Sequence, residues 1–201
     1  MFSEELISKS LQLVTTGKNP FTPLESELFT NWFNDSNSSK LRERITANVC
    51  GYKSSDLKLG RDCIDPITNI EKEIKPQLFT GNGKHKLNGT SNFSDYHQEK
   101  FDKDLHDNLP IIHSTFAHNR LLYIVEYSFS SISNKLQDLI HEKCVVKGQR
   151  YVRTASWGWK HWIDDPTLKF HYFDLELIKN NKQIFVGPFY NKLIKKYSLM
   201  P

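Results

Sequence analysis

One stretch constrains the fold more than any other: Gly60-Arg61-Asp62-Cys63-Ile64-Asp65-Pro66-Ile67-Thr68-Asn69-Ile70-Glu71-Lys72-Glu73-Ile74-Lys75. It reads as two short strands joined by a tight turn. Successive side chains on a strand point to opposite faces, so Glu73 and Lys75 emerge together while apolar Ile74 turns the other way. Folding at Pro66–Asn69 brings Asp62 back beside Glu73. Two carboxylates and one ammonium around a small volume suit a hard divalent cation and a phosphodiester. The acids bind Mg2+, the metal binds a phosphate oxygen, and the lysine stabilises added negative charge or orients a water.

This setting, Asp-x-h-Asp, a turn and then Glu-h-Lys with h apolar, resembles the catalytic signature of the PD-(D/E)xK nuclease superfamily, and within it the type II restriction endonucleases. About sixteen residues carry the resemblance directly. Arg61 stands where the family has proline, and the nearby proline follows Asp65 instead. Asp65, at the turn, suits a structural acid, so Asp62 is favoured over it as the ligand. Asp56-Leu57-Lys58 is a competing acid-x-Lys tripeptide, but no acid-bearing strand shortly precedes it.

The resemblance implies an α/β chain of mixed α+β character, with a central mixed β-sheet flanked by helices in a restriction-endonuclease-like core. It implies Mg2+-dependent, sequence-specific cleavage of double-stranded DNA that leaves 5′-phosphates. Asp62, Glu73 and the backbone carbonyl of Ile74 would hold the metal, and Lys75 would act on the reacting phosphate. Glu71 shares the face of Glu73 and could stand behind the ligands, or simply face solvent. Cutting both strands of a palindrome needs two sites related by a two-fold axis, so a homodimer is expected, with a DNA methyltransferase acting on the same site as its companion. Two alternatives stand beside this reading: a repair or recombination nuclease of the same superfamily, and a non-catalytic DNA-binding protein whose hairpin acids are incidental.

Length and composition fit these expectations. A chain of 201 residues suits one domain, here divided into N-terminal helices over 1–56 and a catalytic core over 57–201. There is no run of about eighteen apolar residues for a membrane helix. The acidic start Met1-Phe2-Ser3-Glu4-Glu5 does not read as a secretion signal. Cys50, Cys63 and Cys144 are odd in number and widely spaced, which argues against a disulfide framework or a zinc knuckle and points to the reducing cytoplasm.

A formal net charge of +4 is only mildly basic, and its distribution says more. No acid occurs from Pro76 to Ser94, where Asn82, Lys84, His85, Lys86 and Asn88 lie among glycines and hydroxyl residues. Amide, ammonium and imidazole groups are suited to phosphates and base edges, and a long polar loop leaving a catalytic strand is uncommon without a function. The bland alternative is a surface loop. A second cluster, Arg150 to Trp162, interleaves Trp157, Trp159 and Trp162 with Arg153, Lys160 and His161. These three basic residues could grip DNA over an aromatic platform; alternatively the tryptophans belong to a core or a dimer seam.

Periodicity organises the remainder. Helices are expected over Ser3 to Val14, from Thr22 or Pro23 to Phe33, and over Leu41 to Val49 with Arg42, Glu43 and Arg44 mostly outside. A polar helix follows from His97 to Asp107, then strands Ile111 to Phe116 and Leu121 to Phe129. Leu121-Leu122-Tyr123-Ile124-Val125 is apolar enough for an interior strand covered on both faces. A helix to about Lys143, strands near Tyr151 and Ile184-Phe185-Val186, and a basic helix Tyr190 to Tyr197 complete the chain. The histidines form no His-Glu-x-x-His pair, and no Gly-rich phosphate loop or Gly-x-Ser-x-Gly elbow occurs.

Overall fold

The chain opens with three helices, the first two of them capped. Ser3 accepts from the Leu6 N–H at the start of α1, Glu4–Thr16. Thr22 and Glu25 form a reciprocal capping box on α2, Pro23–Phe33, and α3 follows as Lys40–Val49. In this computed structural model residues 2–35, 39–55, 60–81 and 86–200 are described. Among them no helix is long and apolar enough to cross a membrane.

Six strands form one mixed sheet. They are β1 (Lys53–Ser54), β2 (Cys63–Ile64), β3 (Glu71–Phe79), β5 (Pro110–Ala117), β6 (Arg120–Ser128) and β8 (Lys169–Phe173), in that spatial order. Neighbours run antiparallel except β3 and β5, which are parallel and joined through α4, Gln98–His106. A separate two-stranded ribbon is made by β4 (Ser91–Tyr96) and β7 (Val152–Trp157). The remaining helices are α5 (Ser130–Ile140), extended by a π-helical stretch His141–Val146, then α6 (Trp159–Trp162), α7 (Leu175–Asn180) and α8 (Gly187–Ser198).

The sheet has a core on each face. Ile7, Phe29, Phe33 and Ile45 of the N-terminal helices pack with Cys63, Ile74, Ile112 and Ile124. On the other face Phe101, Leu136 and Phe189 pack with Ile111, Tyr123 and Val125. Strands β5 and β6 lie in the middle, and Leu121 to Val125 is wholly buried, as its unbroken apolar run requires. A polar cluster sits on the N-terminal-helix face. There Glu126 accepts from Lys72 at 2.6 Å, His171 at 2.8 Å and the Tyr52 hydroxyl at 2.9 Å.

Three expectations need correction, and one choice left open is decided. The stretch after Lys75 is not a loop up to Tyr96: β3 continues through Pro76 to Phe79, and β4 begins at Ser91. Proline is tolerated because of where it falls on the strand. The Ile74 N–H points away from β5 to the Asp62 carboxylate, so Pro76, two residues on, takes the next outward position, where β2 no longer supplies a partner. Of the two readings open for Trp157 and Trp162, the core reading holds. The Trp157 indole N–H donates to the Tyr127 hydroxyl at 2.8 Å, and that of Trp162 donates to the Gly89 carbonyl at 2.9 Å. Gly89 has φ 61°, and a Cβ there would lie 2.8 Å from the Trp162 ring, so ring and backbone hold each other in place.

Arg42 and Glu43 are not outside. The Arg42 guanidinium is buried, donating to the carbonyls of Phe33 and Asp35 and closing the C-terminal end of α2. Residues 184–186 are not a strand. A short 3-10 turn ends at Ile184, and Phe185 makes a lone bridge to Leu87, while β8, unforeseen, supplies the sheet edge.

Candidate active site

The hairpin positions the acids. Cys63 pairs with Lys72 and Ile64 with Glu71 across the antiparallel ladder, which brings Asp62 opposite Glu73. The turn is closed by Asp65, whose Oδ1 accepts from Ile67 N–H at 2.9 Å and Thr68 N–H at 3.4 Å, while Asn69 adopts φ 61°. Asp65 is thus committed to the turn. Asp62 sits at the side of β3, its Oδ2 accepting from the Ile74 N–H at 2.8 Å. On β3, Glu71 is exposed, whereas Glu73 and Lys75 are half-buried on one face.

Lys75 Nζ donates to Glu73 Oε1 at 2.6 Å and lies 4.8 Å from the centre of the Phe93 ring. Lys100 of α4 approaches the same ring at 5.5 Å. Arg61 bridges outward: it pairs with buried Asp104 and comes within 3.9 Å of Glu73 Oε2. Asp104 also accepts from the Tyr96 hydroxyl at 2.8 Å. From the other side Lys40 reaches Asp62 Oδ1 at 3.6 Å and Glu43 Oε2 at 3.0 Å.

Burial, together with the nearby negative charges of Glu73 and Glu43, lifts the Asp62 carboxyl to about 6, against the opposing pull of the Ile74 N–H and Lys75. A carboxyl raised by desolvation and like charge, beside a cleft, marks a place where a cation would be welcome. Sequence reasoning missed Glu43, because only packing against the sheet edge shows which side of α3 faces the acids. A cleft of about 540 Å3 runs on from Lys75 between Ser39, just ahead of α3, Glu43 of α3, Pro76 and Gln77 of β3, and Asn92 and Ser94 of β4.

All the oxygens here are hard donors. Among the described residues no three His, Cys, Asp or Glu side chains cluster to hold a metal alone. Two carboxylates with waters and phosphate oxygens is nevertheless the usual complement for Mg2+, so the donor set fits that ion.

The expected DNA contacts are scattered. Asn82, Lys84 and His85 lie outside the described residues. Lys86 is exposed. Asn88 is occupied within the fold, its Oδ1 accepting from Gln77 Nε2 and Thr90 N–H, each at 3.1 Å. Arg153 is exposed on β7, on the ribbon whose other strand walls the cleft, and Lys160 and His161 are exposed on α6. Deep in the core, His113 bonds Ser91 and Thr115, and burial pushes its imidazole down to about 3, so it stays neutral. No protein-family model matches this sequence, and no curated protein matches it.

Proposed function

We propose that this chain is a Mg2+-dependent endonuclease of the PD-(D/E)xK type, built on a restriction-endonuclease-like core and cutting double-stranded DNA at a specific sequence, as type II restriction enzymes do. The observation that carries this reading is Asp62 held opposite Glu73 on adjacent antiparallel strands, with Lys75 on the same face at the mouth of a cleft. A mixed sheet flanked by helices on both faces is compatible with this reading.

Asp62 and Glu73, with the carbonyl of Ile74, would hold the metal. When bound, Mg2+ supplies Lewis-acid polarisation of the phosphate and a more acidic water. The chain's own residues do the rest. The Ile74 N–H fixes the rotamer of Asp62, so this carboxylate is oriented before any ligand arrives. Lys75, poised between Glu73 and the Phe93 ring, turns its ammonium to a non-bridging phosphate oxygen and stabilises the charge that develops there. Water oxygen bonds to phosphorus, the bond from phosphorus to the 3′ oxygen breaks, and that oxygen takes up a proton. The products are a 5′-phosphate and a 3′-hydroxyl. The working form is a homodimer, acting in the cytoplasm beside a DNA methyltransferase that protects the same sites.

The test is a plasmid digest. The purified protein with Mg2+ should give discrete fragments, and chelation should stop it. Asp62→Ala, Glu73→Ala and Lys75→Ala should each lower cleavage by on the order of 100-fold or more while binding DNA in Ca2+. Near-normal cutting by a folded Lys75→Ala protein would defeat the reading.

A further inference from the structure

The β4/β7 ribbon has two unlike faces. Inward, Phe93, Ala155 and Trp157 are buried, and Phe93 stacks on Tyr96 at 4.8 Å and packs on Trp157 at 4.9 Å between ring centres. Outward, Asn92 pairs across the ladder with Ser156, and Ser94 with Thr154. These four side chains form one row of amide and hydroxyl groups without a charge. Asn92, Ser94 and Thr154 are exposed, and none of the four side chains bonds to another described residue. Their inward neighbour Ser91, by contrast, is committed to His113 at 2.8 Å.

The row continues the cleft, since Asn92 and Ser94 line it directly beyond Lys75. Gln77, two residues past Lys75 on the same face of β3, has an Oε1 with no hydrogen-bond partner, although its Nε2 is fixed on Asn88. At the far end of the row the ladder is broken by Asp95, with φ 49°, and Arg153 emerges there. A row of uncharged donors and acceptors on a rigid ribbon, between a phosphate-cutting site and an arginine, has the layout of groove readout. Charge grips phosphates, whereas amides and hydroxyls distinguish base edges. A two-stranded ribbon also fits the major groove.

We propose that the outer face of the β4/β7 ribbon reads base edges of duplex DNA in the major groove, with Asn92 taking the N6 and N7 edge of an adenine and Thr154 and Ser156 completing the contact. This rests on the nuclease reading and adds to it the element that chooses the sequence. Asn92 is the adenine reader because its oxygen accepts from N6 while its nitrogen donates to N7.

The experiment digests a duplex library of randomised sequence with Mg2+ and sequences the ends. The unaltered protein should cut at a shared motif that contains an A·T pair. Asn92→Ala should lose preference at that pair, by on the order of 10- to 100-fold in discrimination, and still cut elsewhere in the library. Thr154→Ala with Ser156→Ala should relax neighbouring positions. The dependence of binding on salt should not change in either variant, because no phosphate contact is removed. Both variants lie on an outer face, and circular dichroism with melting confirms that they are folded. Retention of the same motif at the same discrimination overturns the ribbon proposal and leaves the nuclease reading standing. Cutting by the unaltered protein without any shared motif overturns the ribbon proposal and the sequence specificity together, and leaves only the metal-dependent nuclease standing. If the unaltered protein does not cut at all, both fall together.

Discussion

Asp62 holds its place at a cost to the fold. Its carboxyl is raised to about 6 by burial and by Glu73 and Glu43, above the value near 3.9 of an unfolded aspartate. The native state therefore binds the proton more tightly than the unfolded one, and this group's share of stability falls as pH rises from about 4 through about 6. Asp62→Asn removes the charge and keeps an oxygen for the Ile74 N–H. At pH 7.5 and without metal it should be more stable than the parent by roughly 2 kcal/mol, a difference that closes below about pH 4. Cleavage should be lost in the same variant. Paired melting curves across pH decide it, and a variant no more stable than its parent at pH 7.5 would contradict the account. At this scale the sequence was a partial guide. Asp62, Glu73 and Lys75 could be named from alternation alone, because a strand's period is local. Glu43 and Arg42 could not, since their burial depends on the placement of α3 against β3 and α2.

On the proposed function, the hairpin divides its two aspartates between chemistry and architecture. Asp65 closes the turn through Ile67 and Thr68, and its carboxyl is held below the ordinary range chiefly by the Ile67 N–H. Asp65→Ala should lower the melting temperature slightly and leave cleavage near normal, whereas the same change at Asp62 should abolish it. A dead but folded Asp65→Ala protein would reverse that assignment. The elements that were legible carry strong local marks: Ser3 and Thr22 as caps, the stripe on α5 and the apolar run of β6. Of the ribbon, only β7 was legible, as the strand expected near Tyr151; β4 was not. In Ser-Asn-Phe-Ser-Asp-Tyr only Phe93 and Tyr96 are apolar, and Asp95 breaks the period between them, so a strand looks like a polar loop. Pro76 hid the second half of β3 in the same way, because its tolerance depends on an unpaired edge that sequence does not display. In Arg150 to Trp162, the interleaving of aromatic and basic residues left platform and core both open, and burial of Trp157 and Trp162 decides for the core while the basic residues turn outward.

Across the whole molecule, the cluster at Glu126 ties β3, β6, β8 and Tyr52, which lies just ahead of β1. Although burial alone would raise the Glu126 carboxyl, hydrogen bonds from His171 and Lys72 bring it down to about 2. Glu126→Gln leaves the buried Lys72 ammonium uncompensated and should cost on the order of 3 kcal/mol in urea unfolding at pH 7. The carboxylate's contribution is present above its unfolded value near 4.3, so the gap between parent and variant should narrow as pH falls from about 4.5 towards about 2. A gap that stays constant over this range would place the effect in packing rather than charge. A different consequence follows from Pro76. A strand whose outer edge lies open beside a cleft is a template on which another chain can extend the sheet, and repetition of that event builds aggregates. Pro76 supplies no N–H at the next outward-donating position, and Asp62 already occupies the one before it. The edge beside the cleft is thereby closed to a polypeptide, so protection against edge-to-edge pairing and an open cleft fall to the same residue.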